Sequence, residues 1–251
     1  RIPRGALTIV AGRPGHGKTT LQLNLLLNLA QRYPEHAFYF FSYEEARRAL
    51  AVKLIMILAG EVVEPHSNYG AYVAFLKDLL PGEHREISKA FARYGELADT
   101  GRICLADGRR TAEDLAATIG ALADRAQVGA VFVDYIQKIP LQRPAEVRYL
   151  EIKRVSELLL EQAVSHDLPI ILGAQLGRAQ GQQRKVTLDN LRESGDIEQD
   201  ANLVLGLHNA AVEAAEESES AGQGQPEVPL EVVLLKNRAG VAGRKVVLNL
   251  Q

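Results

Sequence analysis

Short apolar runs alternate with longer segments of helical spacing along most of this chain. The runs LTIVA (7–11), AFYFFS (37–42), RICLAD (102–107), GAVFVDY (129–135) and PIILGA (169–174) carry almost no internal charge. Unbroken runs of this kind predict strands buried on both faces. Between them the spacing predicts helices over about 18–33, 45–60, 111–126 and 147–165. The first is leucine-rich on nearly every side, as a helix covered from two directions requires. Gly60 should end the second. Thr111 should cap the third, with Asp114 at the capping-box position. Strand and helix in alternation predict an α/β fold, a mostly parallel sheet with helices on both faces. Residues 61–100 keep a less regular helical pattern, broken by Pro65 and Pro81, and predict a helical insertion.

The pattern changes past residue 200. NLVLGLH (202–208), LEVVLLKN (230–237) and RKVVLNL (244–250) have no helix between them, which predicts an antiparallel extension of the sheet. An acidic, glycine-containing stretch at about 213–227 separates the first two and predicts a solvated surface loop. No repeat is visible, and a single domain over 1–251 is expected.

Composition narrows the picture. The chain has 251 residues, 47% of them hydrophobic, enough for one large core. A net charge of -2 removes any global basic field, so nucleic-acid contacts would have to come from local loops. The single cysteine, Cys104, excludes an internal disulfide and a cysteine-cluster zinc site, which fits a cytoplasmic setting. It is expected to be a small buried residue. The stretch LNLLLNLA is interrupted by Asn24 and Asn28 and is too short for a bilayer span. RIPRGALTIV lacks a secretory apolar region, so no membrane partner is expected. Only six residues precede the first strand, which suggests a domain excised from something longer.

AGRPGHGKTT (11–20) carries the chemistry. Its spacing, Gly12-x-x-x-x-Gly17-Lys18-Thr19, is the phosphate-binding loop pattern, between a strand and a helix as that pattern requires. Gly12, Arg13, Pro14, Gly15, His16, Gly17, Lys18, Thr19 and Thr20 would wrap the phosphates of ATP, aided by the helix N-terminus. Lys18 would reach the β- and γ-phosphates and Thr19 would ligate Mg²⁺. A glycine-rich turn with a chance lysine is the plain alternative, and the flanking strand and helix oppose it. Asp134 ends an apolar strand, where it would help hold Mg²⁺; a turn residue is the alternative. Tyr135 follows it, so the general base must come from elsewhere. Glu44 and Glu45 follow the second strand and would face the γ-phosphate if that strand neighbours the first. Both could instead be first-turn helix acids favoured by the dipole; Glu44 is the favoured base. Gln175 ends the strand after that of Asp134 and could sense the γ-phosphate, or be an ordinary loop residue.

Taken together, AGRPGHGKTT, FFSYEEA, VFVDYIQKI, ILGAQLGR, LRESGDIEQDANLVLGLHN and LLKNRAGVAGRKVVLNL resemble the motifs of the DnaB-type replicative helicases. The resemblance is to their C-terminal RecA-like motor domain and spans nearly the whole chain. It implies roles for Lys18, Thr19, Glu44, Asp134 and Gln175 as above. It also implies an arginine finger at Arg238 that reaches a neighbouring subunit's γ-phosphate, with Lys236 beside it. Gly15-His16, Glu45 and Ala174 depart from the family's usual Ser-Met, Met and Ser, and the paired acids are closer to the KaiC and RadA relatives.

The implied partners are single-stranded DNA, further copies of the chain in a ring, a hexamer by resemblance, and a primase or loader. Two loops qualify as DNA contacts. Residues 137–148 carry Arg143 and Arg148, and residues 177–190 carry Arg178, Arg184 and Lys185. Neither has interleaved aromatics, and both could simply be solvated loops. The expected function is a helicase or translocase motor. The alternative is a KaiC/RadA-like ATPase that remodels assemblies without unwinding.

Overall fold

The apolar runs become strands of one sheet in a computed structural model of the protein, which describes residues 2–60, 85–177, 186–188, 191, 197–210, 212 and 230–248. The strands are β1 (Ala6–Gly12), β2 (Ala37–Ser42), β3 (Ile103–Asp107), β4 (Val128–Asp134), β5 (Pro169–Gln175), β6 (Ala201–Asn209), β7 (Leu230–Asn237) and β8 (Lys245–Leu248). They lie in the order β3-β2-β4-β5-β1-β6-β7-β8. Every pairing from β3 through β6 is parallel, and β6–β7 and β7–β8 are antiparallel. The expected parallel core and antiparallel extension are therefore both present.

Helices cover both faces, as the absence of alternation requires. Leu7, Ile9, Val131, Val133, Ile170 and Leu172 point to one face and pack with α4 (Ala112–Arg125) and α5 (Arg148–Ser165). Val10, Phe38, Phe40, Phe132 and Ile171 point to the other. They pack with α1 (Lys18–Arg32), α2 (Arg47–Ala59) and α3 (Arg85–Asp99). Phe40 and Phe132 stack at 6.1 Å across adjacent strands on that side. Thr111 caps α4 as expected, its hydroxyl accepting the Asp114 N–H. Gly60 closes α2 in the left-handed conformation. A four-residue helix, α6 (Ile197–Asp200), precedes β6 and has no counterpart in the sequence expectations.

Three expectations need correction. The second strand does not neighbour the first, because β4 and β5 lie between them. The second helix begins at Arg47, not Glu45. The Ser42 hydroxyl takes the Glu45 N–H and Ala46 is extended, so neither glutamate sits in a helical first turn. Cys104 is only half-buried, on a strand at the edge of the sheet. Of the expected helical insertion, 85–99 is helical, whereas 61–84 and the acidic loop at 213–227 lie outside the described residues.

Candidate active site

The carboxyl ends of β1, β4 and β5 meet at one edge of the sheet. β1 delivers the glycine loop there, and Gly17 enters α1 with φ 81°, a left-handed conformation that favours glycine. No side chain caps this helix and no acid occupies its first turn. Its first backbone N–H groups are thus left for an external acceptor, as an anion site needs. Lys18 is buried, with Nζ donating to the carbonyls of Gly12 (3.1 Å) and Arg13 (3.0 Å). Burial pulls its pKa below the ordinary lysine value, and the nearby Asp134 and Glu44 charges oppose that pull.

One turn of α1 then holds the carboxylate of β4. Thr19 Oγ1 donates to Asp134 Oδ2 at 2.5 Å, and Gln22 Nε2 approaches Asp134 Oδ1 at 3.5 Å. Burial raises the Asp134 pKa, while the Thr19 hydroxyl and Lys18 lower it. Gly173 of β5 makes room for this group. A Cβ there would lie 2.7 Å from Asp134 Oδ1 and 2.8 Å from Gln22 Nε2.

A hydroxyl and a carboxylate on a common point suit Mg²⁺, which takes few protein ligands and completes its shell with water and phosphate.

Glu44 reaches this edge by a route different from the expected one. Ser42 is level with Asp134 in the β2–β4 register, and the Tyr43 N–H donates to the Asp134 carbonyl at 2.8 Å. The loop is pinned there, so the Glu44 charge acts on both Lys18 and Asp134. Its carboxylate is half-exposed and meets Lys138 at 3.4 Å. Glu45 is instead held by Lys53 at 2.6 Å in a more buried pair. Gln175 ends β5 level with Gly12, beside the loop. His16 is buried, accepting the Asn209 N–H on Nδ1 at 3.1 Å and so tying the loop to β6. Burial lowers its pKa to about 4, with His208, Arg13 and Lys18 adding to the effect.

Arg143 is exposed beyond the turn that follows Asp134. Arg148, expected as a DNA contact, already bonds the Gln137 carbonyl and pairs with Glu151, although it remains largely solvent-facing. Arg178, Arg184 and Lys185 lie outside the described residues. Sequence reasoning stopped one residue short of Tyr149, an aromatic 50% exposed next to Arg148. It also missed Gln22, although the i, i+3 spacing from Thr19 was a usable signal. Gly173 gave no signal, because its neighbours come from other elements.

Lys236 and Arg238 are not at this edge. β7 runs antiparallel to β6, so Arg238 lies beside Asn202, whereas Gly12 is level with Leu207. Five residues of strand separate the two levels, about 16 Å. Arg238 bonds the Gln199 carbonyl and Asn202 Oδ1, and Lys236 the Glu198 carbonyl. Burial and the neighbouring Arg238 lower the Lys236 pKa. Neither cation can serve the glycine loop of its own chain.

The model of the DnaB-like helicase C terminal domain matches residues 2–250. The chain belongs to that family. It is 30% identical over 250 residues to the replicative DNA helicase DnaB of Mycoplasma pneumoniae, a match covering 96% of the chain and 50% of the relative. The chain spans about half the length of the curated DnaB relatives it matches. A solved ATPase domain superposes with a TM-score of 0.79 at 25% identity, covering 98% of this chain and 82% of that one. A DnaB-like replicative helicase whose structure was solved for its interactions with primase superposes equally well, with a TM-score of 0.79. At 23% identity, over 98% of this chain and 55% of that one, it supports the RecA-like fold alone. No described helix of this DnaB-family domain is long and apolar enough to cross a membrane.

Proposed function

We propose that this domain is the ATP-hydrolysing motor of a ring that translocates on single-stranded DNA, a replicative-type helicase motor of the cytoplasm. The observation that carries this is the Lys18–Thr19–Asp134 cluster, which joins the glycine loop to the strand two places away across the sheet. Backbone N–H groups of residues 17–20 and the Lys18 ammonium bind the ATP phosphates. Thr19 and Asp134 hold Mg²⁺, which when bound supplies positive charge against the phosphate oxygens. Glu44 orients the attacking water and accepts its proton. Lys138 and Tyr43 keep its carboxylate on the Asp134 side of the loop.

Gln175, level with Gly12, reads the γ-phosphate. Arg238, with Lys236 beside it, completes the site of the next subunit from the opposite edge. The exposed segment with Arg143, Arg148 and Tyr149 faces DNA, and Arg178, Arg184 and Lys185, outside the described residues, are proposed to bind it as well. The names of the relatives support the helicase reading, and a primase or loader is the matching protein partner. Glu45 is tied to Lys53, which weighs against a shared role of the two acids and so against the KaiC-like alternative.

Measuring ATP turnover with and without oligo-dT tests this. Turnover should rise several-fold with DNA and vanish in Lys18→Ala. A rate indifferent to single-stranded DNA would leave an ATPase but remove the translocase.

A further inference from the structure

The turn after β4 touches both the strand end that carries Gln175 and the start of α5. Gln137 lies in its single 3-10 turn, Ile136–Lys138. Its side-chain amide grips both backbone groups of Gln175: Nε2 donates to the carbonyl at 2.9 Å, and the Gln175 N–H donates to Oε1 at 3.0 Å. The β4–β5 ladder ends at Val133 and Leu172, so this amide takes the place of the strand that has turned away. On its other side Gln175 pairs with Gly12, and the Leu176 N–H donates to the Gly12 carbonyl at 3.1 Å. The backbone of Gln175 therefore hangs between the first glycine of the loop and one side chain.

The same residue faces the other way through its own carbonyl, which accepts the Arg148 guanidinium at the start of α5. Lys138, next in the chain, meets Glu44. A displacement of the 139–150 segment thus pulls on the residue that sets where Gln175 sits. Methylenes could fill this half-buried position, whereas an amide carries a donor and an acceptor on separate atoms of one plane, as the two backbone groups of Gln175 require.

We infer that Gln137 is a positioning residue that links DNA at the Arg143–Tyr149 segment to the nucleotide at the glycine loop, by holding Gln175. The inference rests on the proposed function above. Because linkage is reciprocal, it is read as a change in DNA affinity between nucleotide states. Gln137→Met keeps length and volume without the amide. Gln137→Glu keeps the acceptor for the Gln175 N–H but sets a carboxylate against the Gln175 carbonyl.

The measurement is the Kd of fluorescein-labelled oligo-dT by anisotropy, in ADP and in a non-hydrolysable ATP analogue. The Kd of a fluorescent nucleotide and the Tm are followed in parallel. The parent should show a ratio between the two states of about tenfold, and Gln137→Met a ratio under about twofold with nucleotide affinity held within about threefold. Gln137→Glu should fall between them. A parental ratio in both variants overturns the inference. So does a ratio lost only in step with nucleotide affinity and Tm, since that is a purely structural role. If Gln137→Met fails to fold, an unchanged ratio in Gln137→Glu overturns it alone. Failure of the underlying function shows separately, as a parent that binds no oligo-dT in either state.

Discussion

The two edges of the sheet are built differently. At the carboxyl edge of the parallel strands, polar side chains are buried or half-buried and bonded within the chain: Lys18 to two backbone carbonyls, Thr19 and Gln22 to Asp134. At the opposite edge, the exposed Arg238 rests on one carbonyl and one amide of its own chain. A buried charge cannot leave its partners without the cost of an unpaired group in the interior. An exposed guanidinium on neutral acceptors can exchange them for phosphate oxygens at little cost. On the proposed function the first edge serves as the receptor and the second supplies a cation that can change partners. About 16 Å of strand separates them, so on the proposed function a complete site forms only between copies.

The largest effect expected from breaking this comparison is at the movable edge. Arg238→Ala should bind ATP normally and lose about 10³–10⁵ in turnover. Mixing it with Lys18→Ala subunits should restore part of the rate, since one intact edge from each can meet. A variant that keeps full activity, with no complementation on mixing, would make Arg238 an ordinary surface residue. Glu44→Gln should retain nucleotide binding and lose about 10²–10⁴ in turnover, because an amide cannot accept the water's proton. Glu45→Gln should cost far less. The reverse ranking would move the base to Glu45 and revive the KaiC-like reading.

Gly173→Ala tests how rigid the receptor edge is. The added methyl must displace Asp134 or Gln22, and turnover or Mg²⁺ affinity should fall by about 10–100-fold. A variant with the parent's Mg²⁺ dependence would show that the cluster relaxes freely. The smallest effect concerns stability. His16 titrates at about 4 in the folded chain against 6.5 as its ordinary value. Between those values the unfolded chain binds the proton and the folded chain does not. Stability should therefore fall as pH drops from 6.5 towards 4, by on the order of 1–3 kcal/mol. Urea unfolding of the parent and of His16→Asn across that window checks this. The variant should show a shallower decline, and an identical decline would assign the pH dependence to other groups.

The glycine loop, the strands and the caps were legible because each is written in contiguous residues. An apolar run with no alternation needs no partner to be recognised as a strand covered twice, and Thr111 and Asp114 cap a helix from three residues apart. Lys18, Thr19 and Asp134 carried their own spacing or their own strand end. Glu44 was legible as an acid at a strand end, and its charge does reach Lys18 and Asp134. The route was not legible: a β2–β1 neighbourhood was only a condition, and Glu44 arrives through β4, whose Asp134 carbonyl anchors Tyr43.

Strand order is what the sequence by itself could not determine. Order depends on which crossovers pack across the sheet, and periodicity records only that a residue is buried, never against what. For the same reason Gly173 and Gln137 stayed silent until the tertiary structure set them against Asp134 and Gln175. Their importance lies in a distance between elements, a quantity with no local signature. Sequence determined which groups exist and which backbone segments carry them. Only the fold decided that the phosphate loop and Arg238 stand on opposite edges, because the antiparallel turn of β7 against β6 reverses the direction in which its end points.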